Sequence, residues 1–88
     1  MEFVERLNMD AVRNACIKNN FCTRMNNEAY SSMLMVAERE INSHEELIDA
    51  IKEMASRIYS CSADPNNYLM LENVTGILFR ECVDRFVK

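Results

Sequence analysis

The scarcity of turn-forming residues is the feature that most limits what this chain can fold into. Its 88 residues include one Gly and one Pro. A β-sandwich or barrel needs many tight turns, and these two residues are among the commonest in such turns. The apolar share of 49% and the charged share of 27% are those of a globular protein rather than a disordered one. The sequence therefore predicts an all-α fold, a compact four-helix bundle built on antiparallel helical hairpins, in a single domain of residues 1–88.

The third predicted helix has the clearest signals. Ser43 and Glu46 stand three residues apart and match a capping box, in which both side chains satisfy backbone N–H groups at a helix start. The helix should end near residues 60–63, because Pro65 disfavours helical geometry in the residue before it and makes residues 64–67 a turn. Apolar residues at helical spacing predict its inner face, namely Leu47, Ile48, Ile51, Met54, Ala55, Ile58 and Cys61.

The second predicted helix precedes it closely. Asn27 is a suitable N-cap, and Glu28 complements the positive end of the helix dipole. Met35 falls on the outer side of this helix. The link to the third helix has only about two residues, which predicts an antiparallel hairpin. The predicted inner face consists of Tyr30, Met33, Leu34, Ala37 and Ile41.

The first and fourth predicted helices are less regular. The first begins near Phe3, and its apolar stripe changes direction around residues 8–10, so it is either broken there or packs on two neighbours. A connection follows, in which Phe21 and Met25 are expected to reach the core. The fourth helix runs from residue 67 or 68 to near residue 86. Its main apolar stripe is Tyr68, Leu71, Leu78, Phe79, Cys82, Val83 and Phe86.

The fourth helix also carries a second apolar stripe on nearly the opposite side, formed by Met70, Val74 and Ile77. A helix that is apolar on two sides is either central in its own bundle or shared with another chain. One interpretation is that these three residues bury against a second copy in a two-fold homodimer. The other is that helix one covers them from within the same chain. Its covering residues would be Met9, Val12 and Cys16.

Charge is distributed unevenly and limits the classes of partner. The net charge is −4, and residues 28–53 hold two basic and seven acidic residues, whereas the flanking parts are nearly neutral. Direct binding to nucleic acid or to an acidic membrane is disfavoured, because both require a positive surface. A basic protein partner fits better. Glu45, Asp49 and Glu53 on the third helix, together with Met35, are the candidate contacts.

No residue set in the sequence predicts catalysis, a cofactor or a bound metal. The cysteines at 16, 22, 61 and 82 lack the close pairing of zinc and thioredoxin-like sites, and His44 is the single histidine. His44 falls inside the capping sequence, where we expect an exposed residue. No apolar run approaches the roughly 18 residues of a membrane helix. We therefore expect a cytoplasmic protein with reduced thiols.

These features predict a small, non-enzymatic cytoplasmic adaptor, inhibitor or immunity-type protein that binds a protein partner through an acidic helical surface. Residues 42–54 resemble the helix before the binding motif of colicin immunity proteins, but the paired tyrosines of that family are missing, so no site residue follows from the resemblance. The alternative is a chaperone or assembly subunit that uses the apolar face of helix four in a homo- or hetero-oligomer. A thiol redox or metal sensor is a third hypothesis.

Overall fold

The computed structural model describes residues 2–22, 26–62 and 66–88. In chain order these residues form β1 (Phe3–Leu7), α1 (Met9–Asn19), α2 (Asn27–Ala37), α3 (His44–Ser60), α4 (Tyr68–Glu81) and β2 (Val83–Val87). The two strands pair in antiparallel orientation and join the two ends of the described chain. The all-α prediction is therefore wrong. The fold is a small mixed α/β structure, mostly helical, and a four-helix bundle is not confirmed.

Side-chain caps define where the described helices start. Each helix is preceded by an extended residue whose side-chain oxygen accepts a hydrogen bond from a backbone N–H three residues later, which satisfies a group that the helix itself leaves unpaired. Ser43 is confirmed as the N-cap of α3, but the Glu46 carboxylate accepts a hydrogen bond from the N–H of Asn42 instead of that of Ser43, so only the Ser43 half of the capping box is confirmed. α2 starts one residue earlier than predicted. The capping residues are Asn8, Asn26, Ser43 and Asn67.

The core is built around α3, as its sequence periodicity predicts. Ile51, Met54 and Ile58 are completely buried, and α3 packs against α2, α4 and β1. The side chains of Ile48 and Cys61, which the sequence places on the same inner face, are only partly buried. Burial of the apolar stripe of α3 thus provides the main support for the helical part of the fold.

The ends of the chain depart from the prediction because β1 and β2 replace helix. Helix one was expected from Phe3, but the structure has a strand there and the helix begins only after Asn8. Helix four was expected to reach Phe86, but it ends at Glu81. The Asn8 N–H donates to the Cys82 carbonyl at 2.8 Å, which extends the pairing of the strands to the helix ends. The change of stripe direction near residue 8 therefore marks the boundary between strand and helix.

The connection after α1 is closed by a left-handed residue. Asn20 has a φ angle of 55°, and the N–H of Phe21 donates to the Cys16 carbonyl at 3.1 Å. This is the Schellman arrangement, and asparagine is one of the few residues that adopt its left-handed position easily. Phe21 is buried in the core, as predicted. Met25 and the predicted turn at Pro65 lie outside the described residues.

Candidate protein-binding site

The three predicted acidic contacts on α3 have different surroundings. Glu45 and Asp49 are exposed, one helical turn apart. Glu53 is half-buried, and its two carboxylate oxygens lie 2.7 Å from Arg39 Nη1 and 2.9 Å from Arg57 Nη2. These two hydrogen bonds, that from Arg39 foremost, lower the pKa of the Glu53 carboxyl to about 2. The charge of Glu53 is thus satisfied inside the molecule, whereas Glu45 and Asp49 face solvent.

Residues 38–49, which we call the acidic segment, contain five exposed carboxylates for which the described residues provide no salt bridge. One of them, Glu46, accepts a hydrogen bond from the Asn42 N–H at 2.6 Å, just before the N-cap of α3. Its one arginine, Arg39, is paired with Glu53 outside the segment. The excess of negative charge therefore lies on Glu38, Glu40, Glu45, Glu46 and Asp49.

The four predicted apolar contacts also differ in how far they are exposed to solvent. The side chain of Met35 is 74% exposed on α2, whereas Val74 is completely buried, and Met70 and Ile77 are partly buried against the core. The burial of Val74 agrees with the alternative in which the chain's own core covers this side of α4. The covering residues named for that alternative, Met9, Val12 and Cys16, are buried in the same core. Exposed apolar residues on α4 lie instead at its start, at Tyr68 and Leu69.

A cleft of about 370 Å³ lies beside β1, close to the acidic segment. One wall consists of residues 2–6 and the other of residues 39–44, with Phe86 and Lys88 also in the lining. A cavity on one face of a strand is lined by alternate residues, because successive side chains point to opposite faces. Here five consecutive residues of the β1 segment line the cleft. We infer that the cleft follows the outer edge of β1.

The paired strands β1 and β2 form a two-stranded ribbon, and its register shows which backbone groups face that edge. The N–H of Asn8 donates to Cys82 and the N–H of Lys88 donates to Glu2, so even-numbered residues of β1 form the hydrogen-bonded pairs. The N–H and C=O groups of Phe3, Glu5 and Leu7 therefore point away from β2. No backbone partner for these groups is found within residues 2–22, 26–62 and 66–88. β1 thus has an open edge.

Glu5 connects the ribbon to the start of α3. Its carboxylate accepts a hydrogen bond from Arg85 Nε at 2.8 Å, and its other oxygen lies 3.5 Å from His44 Nδ1. The hydrogen bond from Arg85 is the largest influence that lowers the pKa of the Glu5 carboxyl below its ordinary value, and His44 adds to it. Glu5 and Arg85 are directly opposite in the ladder, which places their side chains on the same face.

Apolar side chains are exposed at the end of the ribbon where β1 begins and β2 ends. Phe3 is 60% exposed, Val87 is 55% exposed and Phe86 is 41% exposed. The guanidinium of Arg6 lies 5.5 Å from the ring centre of Phe86 and covers part of it. Exposed aromatic residues beside an unpaired strand edge are typical of a surface that binds another chain.

Two of the four cysteines, Cys16 and Cys82, are buried. Burial is the main cause that raises the pKa of the Cys16 thiol to about 12 and that of Cys82 to about 11. Among the residues that the structure describes, no cluster of His, Cys, Asp or Glu has the arrangement needed to hold a metal ion. Protonated, buried thiols behave as small apolar side chains.

Sequence reasoning missed the β1 edge and its cleft because it assigned both chain ends to helices. A weak signal was present in the second half of the pair, where Val83, Phe86 and Val87 are residues of high strand propensity. Their spacing, however, continues the apolar stripe of α4, so a helical interpretation was equally consistent. Helix two was predicted to continue to Ile41, with a link of about two residues before helix three, but α2 ends at Ala37. The longer connection that results, with the first residue of α3, forms the second wall of the cleft at residues 39–44.

Comparison of the chain with family models, with curated proteins and with solved structures gives no match. Within its described residues, the chain has no helix that is long and apolar enough to cross a membrane.

Proposed function

We propose that this chain is a small, non-enzymatic cytoplasmic protein that acts as an adaptor, inhibitor or immunity-type protein by binding a basic protein partner. The observation that carries the proposal is the acidic segment, whose carboxylates are exposed while the nearest arginine is committed to Glu53. Exposed charge without an internal counter-ion is available to attract an oppositely charged surface. Such attraction increases association rates and favours partners of complementary charge.

The contrast with Glu53 identifies which part of the predicted surface is suited to this role. A partner that used Glu53 would compete with Arg39 and Arg57, which already donate hydrogen bonds to both of its oxygens. Glu45 and Asp49 have no such internal competitor among the described residues. The proposed contact is therefore centred on the first turns of α3 and on the connection before it.

A non-enzymatic role is supported by the state of the two buried cysteines. The high pKa values of Cys16 and Cys82 keep these thiols protonated near neutral pH, and a thiol is a poor nucleophile in that form. His44 is exposed, and its Nδ1 lies 3.5 Å from a Glu5 carboxylate oxygen. This contact with Glu5 accounts for the position of the imidazole. A Cys–His mechanism needs an activated thiolate next to the imidazole.

The proposal is tested by reversing two charges of the acidic segment. The chain is immobilised, its partner is captured from the native host, and the association rate is measured with the purified partner at low and at high salt. The double variant Glu45→Lys with Asp49→Lys should lower the rate by about tenfold at low salt, and the difference should diminish at high salt, because mobile ions screen exposed charges.

A matched control separates this site from the effect of net charge. The double variant Glu28→Lys with Glu72→Lys makes the same change in total charge at exposed positions of α2 and α4. It should retain most of the wild-type rate. Equal losses in both variants would show a non-specific effect of net charge, and an unchanged rate in the first variant would refute the acidic-segment proposal.

A further inference from the structure

We propose that the open edge of β1 binds an extended, basic segment of the partner protein, which adds to the ribbon as a third strand and occupies the cleft between β1 and residues 39–44. This inference rests on the proposed function, since it specifies the part of the partner that is bound. Strand addition to an exposed sheet edge is a recurring mode of peptide recognition, in which backbone hydrogen bonds provide affinity and side-chain positions provide specificity.

The backbone geometry determines the conformation of the bound segment. The outward N–H and C=O groups of Phe3, Glu5 and Leu7 alternate along an extended strand. An extended chain matches that alternation, whereas a helix satisfies its own backbone groups internally. The opposite wall, formed by residues 39–44, lies alongside the edge and leaves a space of about 370 Å³. One wall of the cleft is thus a strand edge that can form hydrogen bonds with an extended chain.

A second copy of this chain is a poor occupant of the same edge. Two copies could pair through the outward groups of their β1 strands, in antiparallel orientation and in full register. Glu5 of one copy would then lie directly opposite Glu5 of the other. The corresponding pairing of β2 with β2 places Arg85 opposite Arg85. Like charges directly opposite in a sheet are destabilising. A strand of different sequence avoids this repulsion.

The charges of the cleft favour a basic segment. Arg6 is engaged with Asp84 and the Phe86 ring, and Arg39 is engaged with Glu53. The described residues provide no salt bridge for Glu2 or Glu40, which both line the cleft. Lys88 is the one lysine in the lining. Glu5 lies at the centre of the edge. One of its oxygens accepts a hydrogen bond from Arg85 and the other lies 3.5 Å from His44 Nδ1, and a carboxylate has about four lone-pair positions, so it can accept a further hydrogen bond.

Side-chain alternation gives the expected pattern of the bound segment. The residue opposite Glu5 points to the same face as Glu5, so lysine or arginine is favoured there. The residues two positions before and after it are opposite Phe3 and Leu7, where apolar side chains are favoured. The expected pattern is therefore an apolar, a basic and an apolar residue at alternate positions.

The test uses the intact chain and a synthetic probe, the capped peptide Val-Thr-Lys-Thr-Val. Titration of the ¹⁵N-labelled protein should shift the amide signals of Phe3, Glu5 and Leu7 and slow their hydrogen exchange. The peptide with Glu in place of Lys should bind several-fold more weakly. Signal changes confined to another surface, or an equal affinity for the two peptides, would overturn the proposal.

Two methylated peptides test the backbone contact without altering the protein. In the proposed register the N–H of the peptide lysine faces β1, whereas the N–H groups of the threonines face away. N-methylation of the lysine should weaken binding by about tenfold through loss of a hydrogen bond and a steric clash, and N-methylation of one threonine should have little effect. Equal effects would exclude strand addition.

A pair of protein variants gives an independent measurement. Glu5→Pro and Glu5→Ala both remove the side chain, but only proline removes the outward N–H, and proline is tolerated on an edge strand whose N–H faces solvent. The proline variant should bind the peptide several-fold more weakly than the alanine variant, with the ribbon retained in the amide spectrum. Equal binding by the two variants would overturn the proposed hydrogen bonding.

The outcomes also separate this inference from the proposed function. If charge reversal at Glu45 and Asp49 slows association with the partner while the peptide does not bind at β1, the cleft assignment fails and the acidic-segment proposal stands. If the peptide binds at β1 while charge reversal has no effect on the partner, the proposed function fails. Concentration-dependent shifts of the ribbon signals without peptide would instead indicate a second copy.

Discussion

The helical core and the terminal ribbon of this protein are stabilised in different ways. α3 buries an apolar face against three other elements, and several of its side chains are completely buried. In the ribbon, Leu7 is buried, whereas Phe3, Phe86 and Val87 are exposed. The core thus depends on the removal of apolar surface from water, and the ribbon depends on one ladder of backbone hydrogen bonds.

This difference suggests a division between stability and recognition. A closely packed core offers a partner no accessible surface, whereas an edge strand presents N–H and C=O groups that pair with another chain. An isolated two-stranded ribbon is marginally stable on its own. A third strand from a partner would therefore both bind to the ribbon and stabilise it, as the inference for β1 requires.

The largest expected effect is in the core, where Ile51→Ala should lower the free energy of unfolding by about 2–5 kcal/mol through loss of buried volume. Ile51 is completely buried on α3. The comparison variant is Ser43→Ala, which removes the α3 cap and should cost about 1 kcal/mol. Both are measured by chemical denaturation followed by circular dichroism. A loss for Ile51→Ala no greater than that for Ser43→Ala would contradict the central role of the α3 face.

An intermediate effect is expected in the ribbon. Val4 lies in a hydrogen-bonded pair with Phe86, so Val4→Pro removes an N–H that points into the ladder and should cost about 1–3 kcal/mol. Its matched control is Phe3→Pro, which removes an outward N–H and should keep the ladder. Hydrogen exchange should show that amide protection decreases in β2 of the Val4 variant while α3 stays protected. Simultaneous loss of protection in both elements would show that ribbon and core form one cooperative unit.

The smallest expected effect is electrostatic and depends on pH. The pKa of Glu53 is lowered from 4.5 to about 2 in the folded protein by Arg39 and Arg57. The pairing therefore stabilises the fold above pH 4.5, and this contribution is lost as the pH falls from 4.5 towards 2. The side chain is 35% exposed, so solvent screening keeps the contribution below about 1 kcal/mol.

Denaturation midpoints of the wild type and of Glu53→Gln measure this contribution between neutral and acidic pH. The difference between the two proteins should be largest near neutral pH and should shrink below pH 4.5. Glu72→Gln, which removes an exposed carboxylate from α4, serves as the control and should follow the wild-type profile. A constant difference between wild type and Glu53→Gln at every pH would mean that the charge of Glu53 does not contribute.

The sequence by itself determined the start and the buried face of α3. The N-cap at Ser43 and the periodic apolar residues of α3 act within one or two helical turns, so the local sequence contains the information that specifies them. The same reasoning predicted exposure at Glu45 and Asp49, because they lie opposite the apolar face. It could not predict that Arg39 would reach Glu53, since that contact depends on how α2 and α3 are joined.

Only the tertiary structure decided that residues 3–7 and 83–87 form strands and not helix. Val4 pairs with Phe86 and Arg6 with Asp84, so each strand obtains its hydrogen bonds from a segment at the other end of the sequence. Nothing in five residues alone distinguishes such a strand from the last turns of an apolar helix, because the distinction depends on a distant partner. For the same reason the open edge of β1 and its cleft, which are the basis of the further inference, emerged only when the two ends were brought together.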